Sequence, residues 1–92
     1  MSVYVDRSEN PFHGMLMCHM LADSMKELHE MADKIGMRRE WFQPKSTPHY
    51  DLCQVRRKLA VLHGAIEIDR TQTVEIIRAW REKSERKEEI VR

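Results

Sequence analysis

Histidine, tyrosine and aspartate follow one another at His49-Tyr50-Asp51, just after the turn Thr47-Pro48. Such a triplet can move protons, bind an anion or hold a cation. If it opens a helix, outward N–H groups and the helix dipole favour a negatively charged ligand there. His49 would then serve as acid, base or phosphate donor, with Asp51 as its catalytic companion and Tyr50 beside them. Arg56 and Arg57 are the nearby cations that would neutralise a phosphate. Asp6, Asp23 and Asp69 each end a run of strand character. Carboxylate oxygens suit hard cations, so Asp6 and Asp23, joined by Asp69 or Asp51, form a candidate Mg²⁺ site of the kind that accompanies phosphoryl or nucleotide chemistry. His19, inside an apolar run, and Gln43, at the start of the loop leading to Asp51, complete the ligand-binding candidates.

Each of these residues also has a plainer role. Aspartate before a helix is first an N-cap, and Asp23 and Asp69 both precede helical patterns; Asp6, before a loop, is the one that capping explains least. A lone histidine on a buried strand is more often a hydrogen-bonded core residue than a ligand, which is the competing reading of His19. The histidines at 13, 19, 29, 49 and 63 show no zinc-ligand spacing. No Gly-rich phosphate loop, G-x-S-x-G elbow or Cys–His nucleophile signature is present.

The elements that must position these groups follow from periodicity. Ser2 to Asp6 alternates as a short strand, Arg7 to Gly14 reads as a loop, and the apolar run Met15 to Ala22 has the length of a buried strand. Ser24-Met25-Lys26-Glu27 is a capping-box pattern, after which Met25, Leu28, Ala32 and Ile35 form one helical stripe closed by Gly36. Met37 to Gln43 carries Trp41-Phe42 and reads as a short strand or extended segment that supplies the heaviest core contacts. Leu52, Val55, Leu59 and Leu62 make a second stripe, from Pro48 or Asp51 to Gly64. Ala65 to Ile68 is a strand, and Asp69-Arg70-Thr71-Gln72 caps a third helix through Val74, Ile77 and Trp80. The expected fold is thus α/β, a small, mostly parallel sheet in the order β-β-α-β-α-β-α. Residues 1–80 form its single domain, and 81–92 a charged helical extension or tail. Ligands of such sheets collect at the C-terminal ends of the strands, where these aspartates fall.

Bulk properties narrow the function classes. The 92 residues are near the lower size limit of a self-sufficient core, so a homodimer or bound ligand would add stability. Sixteen Lys and Arg against fifteen Asp and Glu leave a net charge of +1, which does not indicate nucleic acid. No stretch approaches the roughly 20 apolar residues of a membrane span, and the first residues lack the pattern of a signal peptide. Cys18 and Cys53 lie in apolar contexts without CxxC spacing, as expected of reduced thiols in a cytoplasmic protein.

The segments Val3-Tyr4-Val5-Asp6, His19-Met20-Leu21-Ala22-Asp23, Trp41-Phe42-Gln43, His49-Tyr50-Asp51 and Gly64-Ala65-Ile66-Glu67-Ile68 occur as a set, with Glu27-Leu28-His29, Ala32, Ile35-Gly36, Arg57 and Ala60 between them. As a set they resemble a family of short bacterial, actinobacterial and phage-encoded proteins catalogued as a domain of unknown function. The resemblance covers most of residues 2 to 73 and implies a stand-alone cytosolic domain; it brings no activity. The chain departs from that pattern in its longer charged C-terminus and in Arg7-Ser8-Glu9, where a second acidic residue is expected after Asp6.

Two functions follow. The first is binding of, or catalysis on, a phosphorylated small ligand such as a nucleotide, using Asp6, Asp23 and Asp51 for a metal or ribose hydroxyls and Arg56 or Arg57 for phosphate. The alternative is non-catalytic protein–protein interaction, as a phage or host accessory factor of anti-defence or regulatory type, through Met/Trp surface and the charged last helix.

Overall fold

The longest strand organises the sheet. In the computed structural model, which describes residues 2–45 and 47–91, with side chains of the last helix described through residue 83, Met15–Ala22 is a continuous strand of eight residues. Numbering in chain order, the strands are β1 (Val3–Val5), β2 (Asn10–Phe12), β3 (Met15–Ala22), β4 (Tyr50–Leu52) and β5 (Ile66–Glu67). The helices are α1 (Met25–Lys34), α2 (Gln54–Leu62) and α3 (Arg70–Val91), with a 3₁₀ turn at Arg39–Trp41. β3 pairs antiparallel with β2 through its outer half, and with β1 and β4 around Met20, which faces Val5 on one side and Tyr50 on the other. Among the described strands only β1 and β5 run parallel.

The sheet is therefore mixed and chiefly antiparallel, not mostly parallel. The reason is local. Phe12 and Met15 are joined by the two residues His13 and Gly14, with φ of 48° and 77°, and two positive φ values match the twist of a tight hairpin. What reads as a loop over Arg7 to Gly14 thus contains β2. A second antiparallel contact is the two-way backbone bridge between Gln43 and His49. His49-Tyr50-Asp51 accordingly leads into and forms a strand rather than a helix start, and α2 begins only after Cys53. Met37 to Gln43 is not a strand but the 3₁₀ turn and the residues around it.

The core lies between one face of the sheet and helices α1 and α2. Val3, Val5, Cys18, Met20, Ala22, Tyr50 and Leu52 meet Leu28, Met31, Ala32, Ile35 and Ala60. Tyr50 is the largest fully buried side chain, whereas Trp41 is 45% exposed and Phe42 only packs at the margin. The α2 stripe also differs from expectation: Leu52 is buried in β4, but Val55, Leu59 and Leu62 face outward while Ala60 packs inward.

The starts of α1 and α3 follow the sequence closely. The Ser24 hydroxyl accepts the Glu27 N–H at 3.2 Å and donates to the Glu27 carboxylate at 2.9 Å. Asp69 and Gln72 exchange side-chain and backbone bonds at 2.9 and 3.0 Å, a complete capping box for α3. That helix continues past Trp80 to Val91, so the charged segment extends it; Arg92 lies outside the described residues. Among the described residues no helix is long and apolar enough to cross a membrane.

Candidate functional site

Alternation along β3 puts Met15, Met17 and His19 on one face of the strand and Cys18, Met20 and Ala22 on the core face. The partner of His19 on β4 is Asp51. On the β1 side its carbonyl accepts the Asp6 N–H at 3.0 Å. Asp6, His19 and Asp51 therefore form a row across three adjacent strands, and His49, two residues before Asp51, shares the face of Asp51.

Hydrogen bonds fix how each group is turned. The Asp6 carboxylate accepts the His19 imidazole Nδ1–H at 2.7 Å, the Ser8 hydroxyl at 2.6 Å and the backbone N–H groups of His19 and Ser8 at 2.9 and 3.2 Å. His49 Nδ1 donates to the Thr47 carbonyl at 2.8 Å. Gln43 Nε2 donates to Asp51 Oδ2 at 2.6 Å. The remaining nitrogens, His19 Nε2 and His49 Nε2, stand 3.9 and 3.6 Å from Asp51 Oδ1. One donor atom from each of His19, His49 and Asp51 lies within 4.8 Å of one from each of the others.

Electrostatics follow from that network. Burial alone would raise the Asp6 carboxyl, but hydrogen bonds from His19 and Ser8 outweigh it and hold the group well below the usual carboxylate range. The bond to Asp6 raises His19 above its ordinary value against the opposing effect of burial, and the charge of Asp51 acts in the same direction. Beneath the site, burial pushes the Cys18 thiol up to about 11.

A cleft of about 700 Å³ opens beside these groups. His19, Asp51, Gln43 and Cys53 line it at the sheet. The β2–β3 hairpin contributes Phe12, Met15 and Met17, and the far wall is Met37, Trp41 and Arg56. His49 reaches Asp51 without itself forming part of the cleft wall. Arg56 Nη1 donates to the Ile35 carbonyl at 2.7 Å, and its guanidinium lies 6.0 Å from the Trp41 ring centroid. Gly36 has a φ of +77°, which favours glycine at this turn, and a Cβ there would stand 3.0 Å from Arg56 Nη1, so the guanidinium would have to shift slightly.

The other sequence candidates fall elsewhere. Asp6 and Asp23 stand at opposite ends of the β1–β3 ladder, about 13 Å apart along the strand at 3.3 Å per residue. Asp23 accepts the Ser2 N–H at 2.8 Å and the Tyr4 hydroxyl at 3.0 Å, while Ser24 caps α1. Tyr50 points to the core, 2.8 Å from His29 Nδ1. Arg57 donates to the Asp6 carbonyl at 3.0 Å and to Glu67 at 2.8 Å, tying α2 to β1 and β5. The structure thus brings together His19, His49, Asp51, Gln43 and Arg56, with Asp6 behind His19.

The family model for proteins of unknown function designated DUF4031 matches residues 3–80, from β1 through Trp80 of α3. The chain belongs to the DUF4031 family. No curated protein and no solved structure matches it. The DUF4031 match encloses every residue of the His19–His49–Asp51 cluster and of the cleft.

Several contributors carried no sequence signal of their own. Ser8 lies in a segment that reads as loop, and the Thr47 carbonyl is main chain. The hairpin wall had a trace: Met15, Met17 and His19 are spaced by two, which places them on one strand face once the strand is recognised.

Proposed function

We propose that the chain binds a phosphorylated small ligand, of nucleotide kind, in the cleft beside His19, His49 and Asp51. The observation that supports this most is the joining, in one cleft, of apolar walls, which suit a ring, to Arg56, whose guanidinium suits a phosphate. In this reading Arg56 neutralises the phosphate, His19 and Asp51 face the ligand from the cleft wall with His49 against Asp51, and Gln43 and Asp6 hold Asp51 and His19 in place. Two free thiols and a metabolite ligand fit a cytoplasmic protein.

The test is a thermal-shift panel of nucleoside mono-, di- and triphosphates. At a ligand concentration 100 times the dissociation constant, stabilisation is about 2.7 kcal/mol, a shift of several degrees for a domain of this size. Arg56→Ala and His49→Ala remove it. No shift with any nucleotide removes the proposal.

One observation favours the alternative, a non-catalytic accessory factor of bacterial or phage origin. Val55, Leu59 and Leu62, at i, i+4 and i+7, leave α2 with an outward apolar stripe. If that stripe is the functional surface, Leu59→Lys with Leu62→Lys abolishes function in cells and His49→Ala leaves it intact.

A further inference from the structure

The unusual feature of the cluster is the way its members face one another. The Asp6 carboxylate and the Thr47 carbonyl are acceptors only, so in the neutral imidazoles both Nδ1 atoms carry the proton and both Nε2 atoms present lone pairs. Those lone pairs are directed toward Asp51 Oδ1, itself an acceptor, at 3.9 and 3.6 Å. Gln43 holds the other carboxylate oxygen, Oδ2, and so turns Oδ1 toward the histidines. While both imidazoles are neutral, three acceptors gathered around one point repel each other, and a cation between them, a metal ion or a proton on one Nε2, relieves this.

We propose that His19 Nε2, His49 Nε2 and Asp51 Oδ1 bind a first-row divalent transition ion of the zinc class. Two ligands about 2.1 Å from a tetrahedral ion stand about 3.4 Å apart. Here the two nitrogens stand 3.9 and 3.6 Å from Asp51 Oδ1 and all three atoms lie within 4.8 Å of one another, a gap that side-chain rotation can close. Every ligand has the outer partner such sites use to orient it: Asp6 for His19, the Thr47 carbonyl for His49, Gln43 for Asp51. Two imidazoles and one carboxylate favour Zn²⁺, Fe²⁺ or Co²⁺ over Mg²⁺, which prefers an all-oxygen shell. Three protein ligands also leave coordination open, and His19 and Asp51 are both part of the cleft wall. The inference deepens the cleft reading above and rests on it only for what fills the open positions, namely water or a phosphate oxygen of the ligand.

The experiment uses the full chain, stripped with a chelator and then dialysed free of it. Co²⁺ alone is titrated and followed by its visible absorption, Zn²⁺ is measured by competition with a chromophoric chelator, and Mg²⁺ serves as comparison. One Co²⁺ or Zn²⁺ per chain is expected, with Mg²⁺ far weaker. His19→Ala and His49→Ala each weaken Zn²⁺ by about 100-fold or more, and Asp6→Asn, which touches no ion, by about 10- to 100-fold. His63→Ala, outside the cluster, changes affinity less than about twofold. Circular dichroism confirms that each variant folds, and Asp51→Asn, of nearly unchanged shape, serves should an alanine variant fail to. Absence of stoichiometric Co²⁺ or Zn²⁺ binding overturns the proposal, as does binding that survives in both histidine variants. Nucleotides are tested separately, once in chelator and once with Zn²⁺ bound, and a shift in either counts. Ion binding with no nucleotide shift upholds the metal centre and removes the ligand reading, whereas a nucleotide shift without ion binding does the reverse.

Discussion

The two ends of the β1–β3 ladder carry the same residue type and use it differently. At one end Asp6 is 6% exposed and takes four hydrogen bonds, one of which turns the His19 imidazole toward His49 and Asp51. At the other, Asp23 takes the Ser2 N–H and the Tyr4 hydroxyl, while Trp80 and Lys83 of α3 donate to the Ala22 and Asp23 carbonyls at 2.8 and 3.1 Å. The first arrangement aims a side chain at open space; the second fastens the strand ends to each other and to α3. An aspartate at a strand end thus acquires its meaning from the side chain it can reach, and only one of these two has a histidine across the ladder.

The contrast can be broken in several ways, the largest effect first. His19→Ala is expected to weaken Zn²⁺ by about 100-fold or more, while Asp23→Ala leaves it within about twofold; equal losses in the chelator competition would erase the distinction between the ends. In urea denaturation Asp6→Ala should cost about 3 kcal/mol, because it strands buried donors, and Asp23→Ala about 1 kcal/mol. Similar losses at both ends would mean that Asp6 is no more deeply committed than Asp23. Thiol labelling sharpens the picture of the open end. Cys53, on the cleft wall, should be modified in the folded protein, and Cys18, buried beneath the site with its pKa pushed up to about 11, only on unfolding. Added Zn²⁺ slows the Cys53 reaction if the ion fills the neighbouring site.

The smallest effect concerns His29, away from both ends and packed against Phe42 and Tyr50. Burial, and then the charge of Arg39, lower its pKa from the ordinary 6.5. Above that value His29 is neutral in both states. As pH falls through it the unfolded chain takes up the proton first, so stability declines below about 6.5. His29→Gln should flatten this part of the stability–pH curve, and an unchanged slope would assign it to other groups.

Much of the local structure was legible in the residues. The Ser24 and Asp69 caps, the strand Met15–Ala22 and the helices after each cap depend on interactions within a few positions, and sequence spacing records those directly. The candidate site was legible in composition and not in grouping. His49, Asp51, His19, Gln43 and Arg56 are all brought together, yet the sequence paired Asp6 with Asp23 and gave His49 and Asp51 to a helix start. Trp41 read as core and lies at the cleft margin for a similar reason: nothing local tells a core aromatic from one at the lip of a groove.

By itself, then, the sequence determined β1, β3, β5 and the three helices, the caps of α1 and α3, and which residue types are present for chemistry. Only the tertiary structure decided the antiparallel pairing of β3 with β1 and β4, and that pairing sets the row Asp6, His19, Asp51. Register is a long-range property: shifting one strand by a single residue would turn His19 or Asp51 to the core face, with the composition and every local pattern unchanged.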